Sequence, residues 1–74
     1  MNENERIRLG EILRSLRVDK GLTLEQVGEL IGKTFKTVQL YETSTTSISL
    51  DVFVKLCKIY ETTPDKIIEK AGIK

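Results

Sequence analysis

Few side chains of this 74-residue chain could carry out covalent or metal chemistry. There is no histidine and Cys57 is the single cysteine, so neither a Ser-His nor a Cys-His nucleophile pair can form. A structural zinc site usually takes four Cys or His ligands, which this sequence does not have. The sequence also shows no paired carboxylates at a plausible spacing and no glycine loop that could cradle a phosphate. We therefore expect no enzymatic activity, no metal and no cofactor.

Length and composition indicate one small globular domain. The chain is 39% hydrophobic and 31% charged, which is typical of a folded domain and not of a disordered one. No run of about 20 apolar residues could span a membrane, and the first five residues lack the layout of a signal peptide. A free cysteine without an export signal suits a reducing cytoplasm. Cys57 lies among apolar residues, and we interpret it as a small buried hydrophobe.

The charge distribution gives only a weak indication of a ligand. The net charge is +1, which does not by itself indicate a nucleic-acid binder. Residues 6–36 contain seven Lys or Arg against four Asp or Glu, whereas residues 37–65 contain two against four. Any binding site must therefore be identified from the elements that position its side chains.

The apolar residues recur with a helical period over nearly the whole chain, which predicts five helices and no strand. A flexible polar tail is expected over residues 1–5. Thr23, with Gln26 three residues on, is typical of a capping box at the start of the second helix. Thr34, Ser49 and Thr63 are the predicted caps of the next three. The predicted helices cover approximately residues 6–20, 24–31, 35–42, 50–60 and 64–71.

The fourth helix has apolar residues on more than one side. Its expected buried stripe consists of Leu50, Phe53, Val54 and Cys57. A second apolar set lies off this stripe and continues beyond the fifth helix. This set either packs between the two helices or forms a dimer surface, and its members are Val52, Leu56, Ile59, Ile67, Ile68 and Ile73.

Glycines at positions 28 and 32 indicate a tight turn between the second and third helices. Gly28 lies inside a predicted helix, where it costs about 1 kcal/mol relative to alanine. A close approach of the third helix would account for that cost. Gly32 follows four residues later, and Val38 and Tyr41 complete the spacing of a helix-turn-helix. On the third helix these two apolar residues point inward, while the opposite side carries Lys36, Gln39, Leu40 and Thr43.

These features resemble the helix-turn-helix domain of phage repressor and Cro proteins, the Xre-type family. The resemblance covers about residues 9–70. It is carried by the segments Leu9-Gly10, Leu16-Arg17, Lys20–Thr23, Val27-Gly28, Ile31-Gly32, Lys36–Glu42, Ser49–Asp51 and Pro64-Asp65. It implies an all-α, compact five-helix repressor-like domain over residues 6–72. It also implies a cytoplasmic regulator that binds double-stranded DNA, commonly as a homodimer, and we expect it to be a repressor.

The resemblance also implies roles for particular residues. The third helix would lie in the major groove and present Phe35, Lys36, Thr37, Gln39 and Leu40 to the bases. Lys36 could donate to guanine or to a phosphate, whereas the two apolar residues could pack against thymine methyl groups. Phosphate contacts are expected at the start of the second helix, in the turn and after the third helix, from Thr23, Lys33, Thr34, Thr43, Ser44 and Thr45.

A further set of residues would hold the helix-turn-helix together. In the family, an ion pair at positions 17 and 42 locks the first helix to the third. The implied set is Arg17, Val27, Gly28, Gly32, Val38, Tyr41 and Glu42.

The sequence departs from the family pattern in three places. Leu24 stands where a glutamine often opens the second helix, and Lys33 stands where the turn is often apolar. Residues 43–48 contain no Lys, Arg, Gly or Pro, whereas the family usually has a basic-Gly-basic loop. Because each neutralised phosphate contributes about 0.9 to the salt slope, we expect a shallow salt dependence.

The two apolar residues Phe35 and Leu40 leave an alternative function open. An outward apolar side chain can mark a protein contact as readily as a base contact. A protein-interaction module on the same fold, such as an antirepressor or a regulatory subunit, would show this pattern. Phe35 could also fold back onto the core, because it flanks the inner face of its helix.

Overall fold

The computed structural model describes residues 1–73, which form five helices and no strand. The helices are α1 (Glu3–Asp19), α2 (Leu24–Ile31), α3 (Phe35–Thr43), α4 (Leu50–Ile59) and α5 (Pro64–Ala71). The all-α prediction is confirmed. None of these helices is long and apolar enough to cross a membrane.

Local capping signals set most of the helix boundaries. The Thr23 hydroxyl accepts from the Gln26 amide at 3.1 Å, and the Gln26 side chain accepts from the Thr23 amide at 2.8 Å. Gly32 ends α2 in the left-handed region at a φ of 72°, which glycine adopts without steric cost. Thr34, Ser49 and Thr63 cap α3, α4 and α5 as predicted.

The prediction of a flexible tail over residues 1–5 is wrong, because α1 already begins at Glu3. Asn2 and Glu5 form a reciprocal capping box, with their backbone amides donating to each other's side chains at 2.9 and 2.8 Å. The signal was present in the sequence, since an Asn followed three residues later by Glu is typical of a helix start. The polar composition of the segment concealed it.

All five helices contribute to one core. Helix α1 packs against α3 and α5, and α2 packs against α3 and α4. The largest side chains with almost no exposure come from every helix and are Leu13, Val27, Val38, Leu56 and Ile67. Cys57 is also buried, as predicted, and burial raises the pKa of its thiol.

The predicted buried stripe of α4 is wrong at two of its four positions. Leu50 and Val54 of the expected buried stripe are 76% and 37% exposed, whereas Val52 and Leu56 are only 4% and 2% exposed. The reason is that α4 is apolar on several sides, so its packing against α2 and α5 selects the inner face.

The observed orientation of α4 also removes most of the predicted dimer surface. Val52, Leu56 and Ile67 lie in the core, where a second subunit cannot reach them. Ile59 and Ile73 are partly buried. Of the six candidates only Ile68, at 38% exposure, presents a substantial apolar surface.

Candidate nucleic-acid interface

Helix α3 presents one largely polar side to solvent. Val38 and Tyr41 are 2% and 6% exposed, as predicted, and fix the inner face. The opposite side carries the exposed residues Lys36 and Gln39, and Thr37 is partly buried beside them. This side of α3 is free to contact a ligand.

The same outer surface carries two large apolar side chains. Phe35 is 49% exposed and Leu40 is 37% exposed. The alternative in which Phe35 folds back onto the core is therefore wrong. A residue at the first position of α3 lies beyond the end of the core stripe, so its ring extends into solvent.

The start of α3 is held against α2 by contact between backbones. A methyl group added at Gly28 would lie 2.6 Å from the carbonyl oxygen of Lys33 and 3.1 Å from the carbonyl carbon of Thr34. The Lys33 amide also donates to the Gly28 carbonyl at 2.8 Å. Gly28 is therefore required for the close approach that the sequence indicated.

The end of α3 is held by a second glycine, at position 10 of α1. A methyl group there would lie 2.6 Å from the carbonyl oxygen of Glu42 and 2.9 Å from that of Tyr41. The sequence interpretation gave Gly10 no role, although its position inside a predicted helix was the same signal that singled out Gly28. Two glycines therefore fix the two ends of α3.

An ion pair between Arg17 and Glu42 joins α1 to α3. The Arg17 Nε and Nη2 atoms donate to the two carboxylate oxygens of Glu42 at 2.8 and 3.1 Å. The two side chains are 12% and 3% exposed. The hydrogen bond to Glu42 raises the pKa of Arg17, which also donates to the Leu22 carbonyl at 2.9 Å. The pairing that the resemblance implied is present.

A buried arginine that the sequence interpretation missed supports the loop after α3. Arg6 is 8% exposed, and it donates to the carbonyl oxygens of Tyr41 and Thr46 at distances of 2.6–3.0 Å. Burial lowers the pKa of this guanidinium. The signal was its register, because Arg6 precedes Leu9 and Leu13 on the buried stripe of α1. The charge suggested a solvated residue instead.

The six candidate phosphate ligands differ in what they can still donate. Lys33 is exposed, and like Lys36 it takes part in no ion pair among residues 1–73. The hydroxyls of Thr43 and Ser44 donate to the carbonyls of Gln39 and Leu40, both at 2.8 Å. Those two hydroxyl hydrogens are therefore used inside the molecule.

The other three phosphate candidates lie near helix starts or in the loop. Thr23 and Thr34 cap α2 and α3, where unpaired backbone amides and the positive end of each helix dipole are located. Thr45 is exposed in the loop after α3. Among residues 1–73, no cluster of His, Cys, Asp or Glu could hold a metal ion.

Comparison with known proteins agrees with this arrangement. The sequence matches the Helix-turn-helix family model over residues 13–67, and the chain therefore belongs to this Xre-type family of DNA-binding transcriptional regulators. No curated protein matches the sequence.

Two solved structures have the same fold. Both are crystal structures of the clp gene regulator ClgR from Corynebacterium glutamicum, with 25% sequence identity over 92% of this chain. Their TM-scores are 0.85 and 0.83, and the matches cover 72% and 87% of the ClgR chains. The resemblance to the Xre-type family and its five-helix fold are thus confirmed.

Proposed function

We propose that this protein is a cytoplasmic, Cro-like repressor that binds double-stranded DNA sequence-specifically, with α3 in the major groove. The observation that carries the proposal is the rigid support of an exposed α3. Gly10 and Gly28 fix its two ends, and the Arg17–Glu42 pair holds it to α1. A supported, exposed helix of this kind is what docking in the major groove requires. Occupation of a promoter would then block transcription.

The proposed contacts divide into base and phosphate contacts. The outer face of α3 reads the bases through Phe35, Lys36, Thr37, Gln39 and Leu40. Phosphates are bound at the starts of α2 and α3 and in the loop, by Thr23, Lys33, Thr34, Thr43, Ser44 and Thr45. Thr43 and Ser44 donate their hydroxyl hydrogens to α3 carbonyls, and the Ser44 amide donates to the Leu40 carbonyl at 3.0 Å, so these two hydroxyls must turn away from α3 to donate to a phosphate. Few cations take part, which predicts a shallow salt dependence.

Reversal of the charge at Lys36 tests the docking of α3. We expect Lys36→Glu to weaken binding to a duplex selected from a random pool by about ten- to a hundredfold, because a base-edge contact is worth about 1–3 kcal/mol. Fluorescence anisotropy with a labelled duplex measures the affinity. Lys66→Glu, an exposed lysine of α5, is the matched control and should change it little. Unchanged affinity in Lys36→Glu, with helicity intact, would remove α3 from the interface.

We also propose a homodimer, formed by a different apolar surface from the one the sequence indicated. Leu50, Val54 and Ile68 are 76%, 37% and 38% exposed. Leu50 and Ile68 border an apolar groove of about 230 Å³ that Phe53 also lines. A two-fold dimer would bind a near-palindromic site whose halves are about 34 Å apart.

Placing a charge in this groove tests the dimer. We expect Leu50→Lys to shift the protein to a monomer, because burying an unpaired ammonium against an apolar surface is unfavourable. Sedimentation velocity measures the shift. Val18→Lys, on a residue of α1 that is 51% exposed and lies outside the groove, is the control. A wild-type protein that stays monomeric at high concentration would contradict the dimer.

A second candidate function is a protein-interaction module on the same fold. The observation that favours it is the exposure of Phe35 and Leu40 on α3. This function requires that the protein binds no selected duplex even at low salt. It also requires that Leu40→Asp abolishes binding of a partner protein.

A further inference from the structure

The outer face of α3 has a composition that ordinary hydrogen-bond readout of bases does not explain. Two of its residues, Phe35 and Leu40, are large, apolar, and 49% and 37% exposed. Between them in sequence lie the exposed donors Lys36 and Gln39. The one acidic residue of α3, Glu42, is buried and paired with Arg17. The face therefore presents two apolar groups beside one positive charge and one amide.

The major groove offers one apolar group to such side chains. Phenylalanine and leucine have no donor or acceptor, and the C5-methyl group of thymine is the apolar feature of the base edges in that groove. Resting on the proposed function, we propose that Phe35 and Leu40 each recognise a thymine through its methyl group. Each half-site of the operator then contains two thymines in addition to the base bound by Lys36.

Helix geometry sets the expected spacing of these thymines. Phe35 and Leu40 are five positions apart, which corresponds to a rise of about 7.5 Å along the helix and a rotation of about 140° around it. Successive base pairs are about 3.4 Å apart. A helix lying along the groove would therefore contact thymines about two base-pair steps apart. Lys36 and Gln39 would donate to the bases next to or between them.

The scarcity of charge gives these apolar contacts a large share in sequence preference. The loop after α3 carries no Lys or Arg between residues 43 and 48, and Arg6 is buried beneath it. Phosphate attraction is accordingly small, and it carries no direct sequence information. Burial of a single methyl group contributes enough to change affinity about fourfold. Two such contacts would change affinity about sixteenfold in each half-site, which is comparable to the ten- to hundredfold expected for the Lys36 contact.

Replacing thymine by deoxyuridine tests the proposal, because it removes the methyl group and leaves base pairing unchanged. A duplex is first selected from a random pool with the wild-type protein, and each of its thymines is then replaced in turn. We expect two positions per half-site to weaken binding about fourfold each. Phe35→Ala should become insensitive to replacement at one position and Leu40→Ala at the other. Val18→Ala, an equally exposed apolar residue of α1, should keep both sensitivities.

The outcomes separate this proposal from the proposed function. If the wild-type protein binds the duplex but no deoxyuridine replacement weakens binding, methyl recognition is overturned while DNA binding stands. Sensitivity that persists in both Phe35→Ala and Leu40→Ala would also overturn it, since other residues would then contact the methyl groups. If no duplex is bound at low salt, the proposed function itself fails, and methyl recognition fails with it.

Discussion

Replacement of Arg17 by methionine is expected to lower the free energy of unfolding by about 3 kcal/mol. The substitution leaves the Glu42 carboxylate, whose side chain is 3% exposed, without its positive partner. Removal of one member of a buried pair typically costs 3–5 kcal/mol, because the remaining charge is neither solvated nor compensated. We expect the lower end of this range because Arg17 is 12% exposed, so the pair is not fully buried. A core of this size supplies only about 3–5 kcal/mol, so most of the stability would be lost.

Urea unfolding followed by circular dichroism measures this loss. The matched control is Lys55→Met, which breaks the exposed pair between Lys55 and Asp51 on α4. That pair spans 3.7 Å with both side chains well exposed, and we expect its loss to cost less than about 0.5 kcal/mol. Equal losses in the two variants would show that burial does not strengthen the Arg17–Glu42 pair.

A double variant separates loss of the pair from the burial of an unpaired charge. Arg17→Met combined with Glu42→Leu removes both charges and leaves apolar side chains of similar size. Because a buried pair often contributes little relative to apolar replacements, the double variant should be more stable than Arg17→Met alone. A double variant less stable than Arg17→Met alone would contradict this expectation. A double variant less stable than the wild type would indicate that the pair is net stabilising relative to apolar side chains.

Replacement of Gly28 by alanine is expected to destabilise the domain by about 2–3 kcal/mol. In an ordinary helix interior the same change stabilises by about 1 kcal/mol, so the expected sign is reversed. The new methyl group would lie 2.6 Å from the carbonyl oxygen of Lys33. Since that neighbour is backbone, α2 and the turn must separate, and overpacking of this kind typically costs 1–3 kcal/mol. We expect Gly10→Ala to destabilise the domain by a similar amount, because its new methyl group would lie 2.6 Å from the carbonyl oxygen of Glu42.

Urea unfolding of Gly28→Ala beside Ser15→Ala tests this prediction. Ser15 is an exposed residue in the middle of α1, where alanine should be neutral or slightly stabilising. A Gly28→Ala protein more stable than the wild type would show that α2 and the turn are not in backbone contact.

Local sequence signals account for most of the fold and for the outward face of α3. Helix caps act between residues three or four positions apart, so Thr23, Thr34 and Ser49 can be identified without the rest of the molecule. The outer face of α3 was predicted because Val38 and Tyr41 lie three positions apart on one side and mainly polar residues lie opposite them. The capping box of Asn2 and Glu5 is a local signal of the same kind, and the sequence contains it, although the predicted start of α1 does not use it.

Contacts between distant residues were decided by the tertiary structure alone. The role of Gly10 depends on the carbonyl groups of Tyr41 and Glu42, more than 30 positions away in the chain. Arg6 is buried because the carbonyls of Tyr41 and Thr46 accept its hydrogen bonds, and no pattern within α1 predicts those partners. The Arg17–Glu42 pair was expected only from the family resemblance.

The sequence by itself determined where the helices begin and end and which side of α3 is polar, because capping and amphipathic periodicity are short-range properties. It did not determine which side of α4 is buried. With Leu50, Val52, Val54 and Leu56 spread around that helix, burying either of two apolar faces satisfies the hydrophobic effect locally. Packing against α2 and α5 places Val52 and Leu56 inside and leaves Leu50 in solvent, because the face that α4 turns toward these two neighbours is the one that is buried.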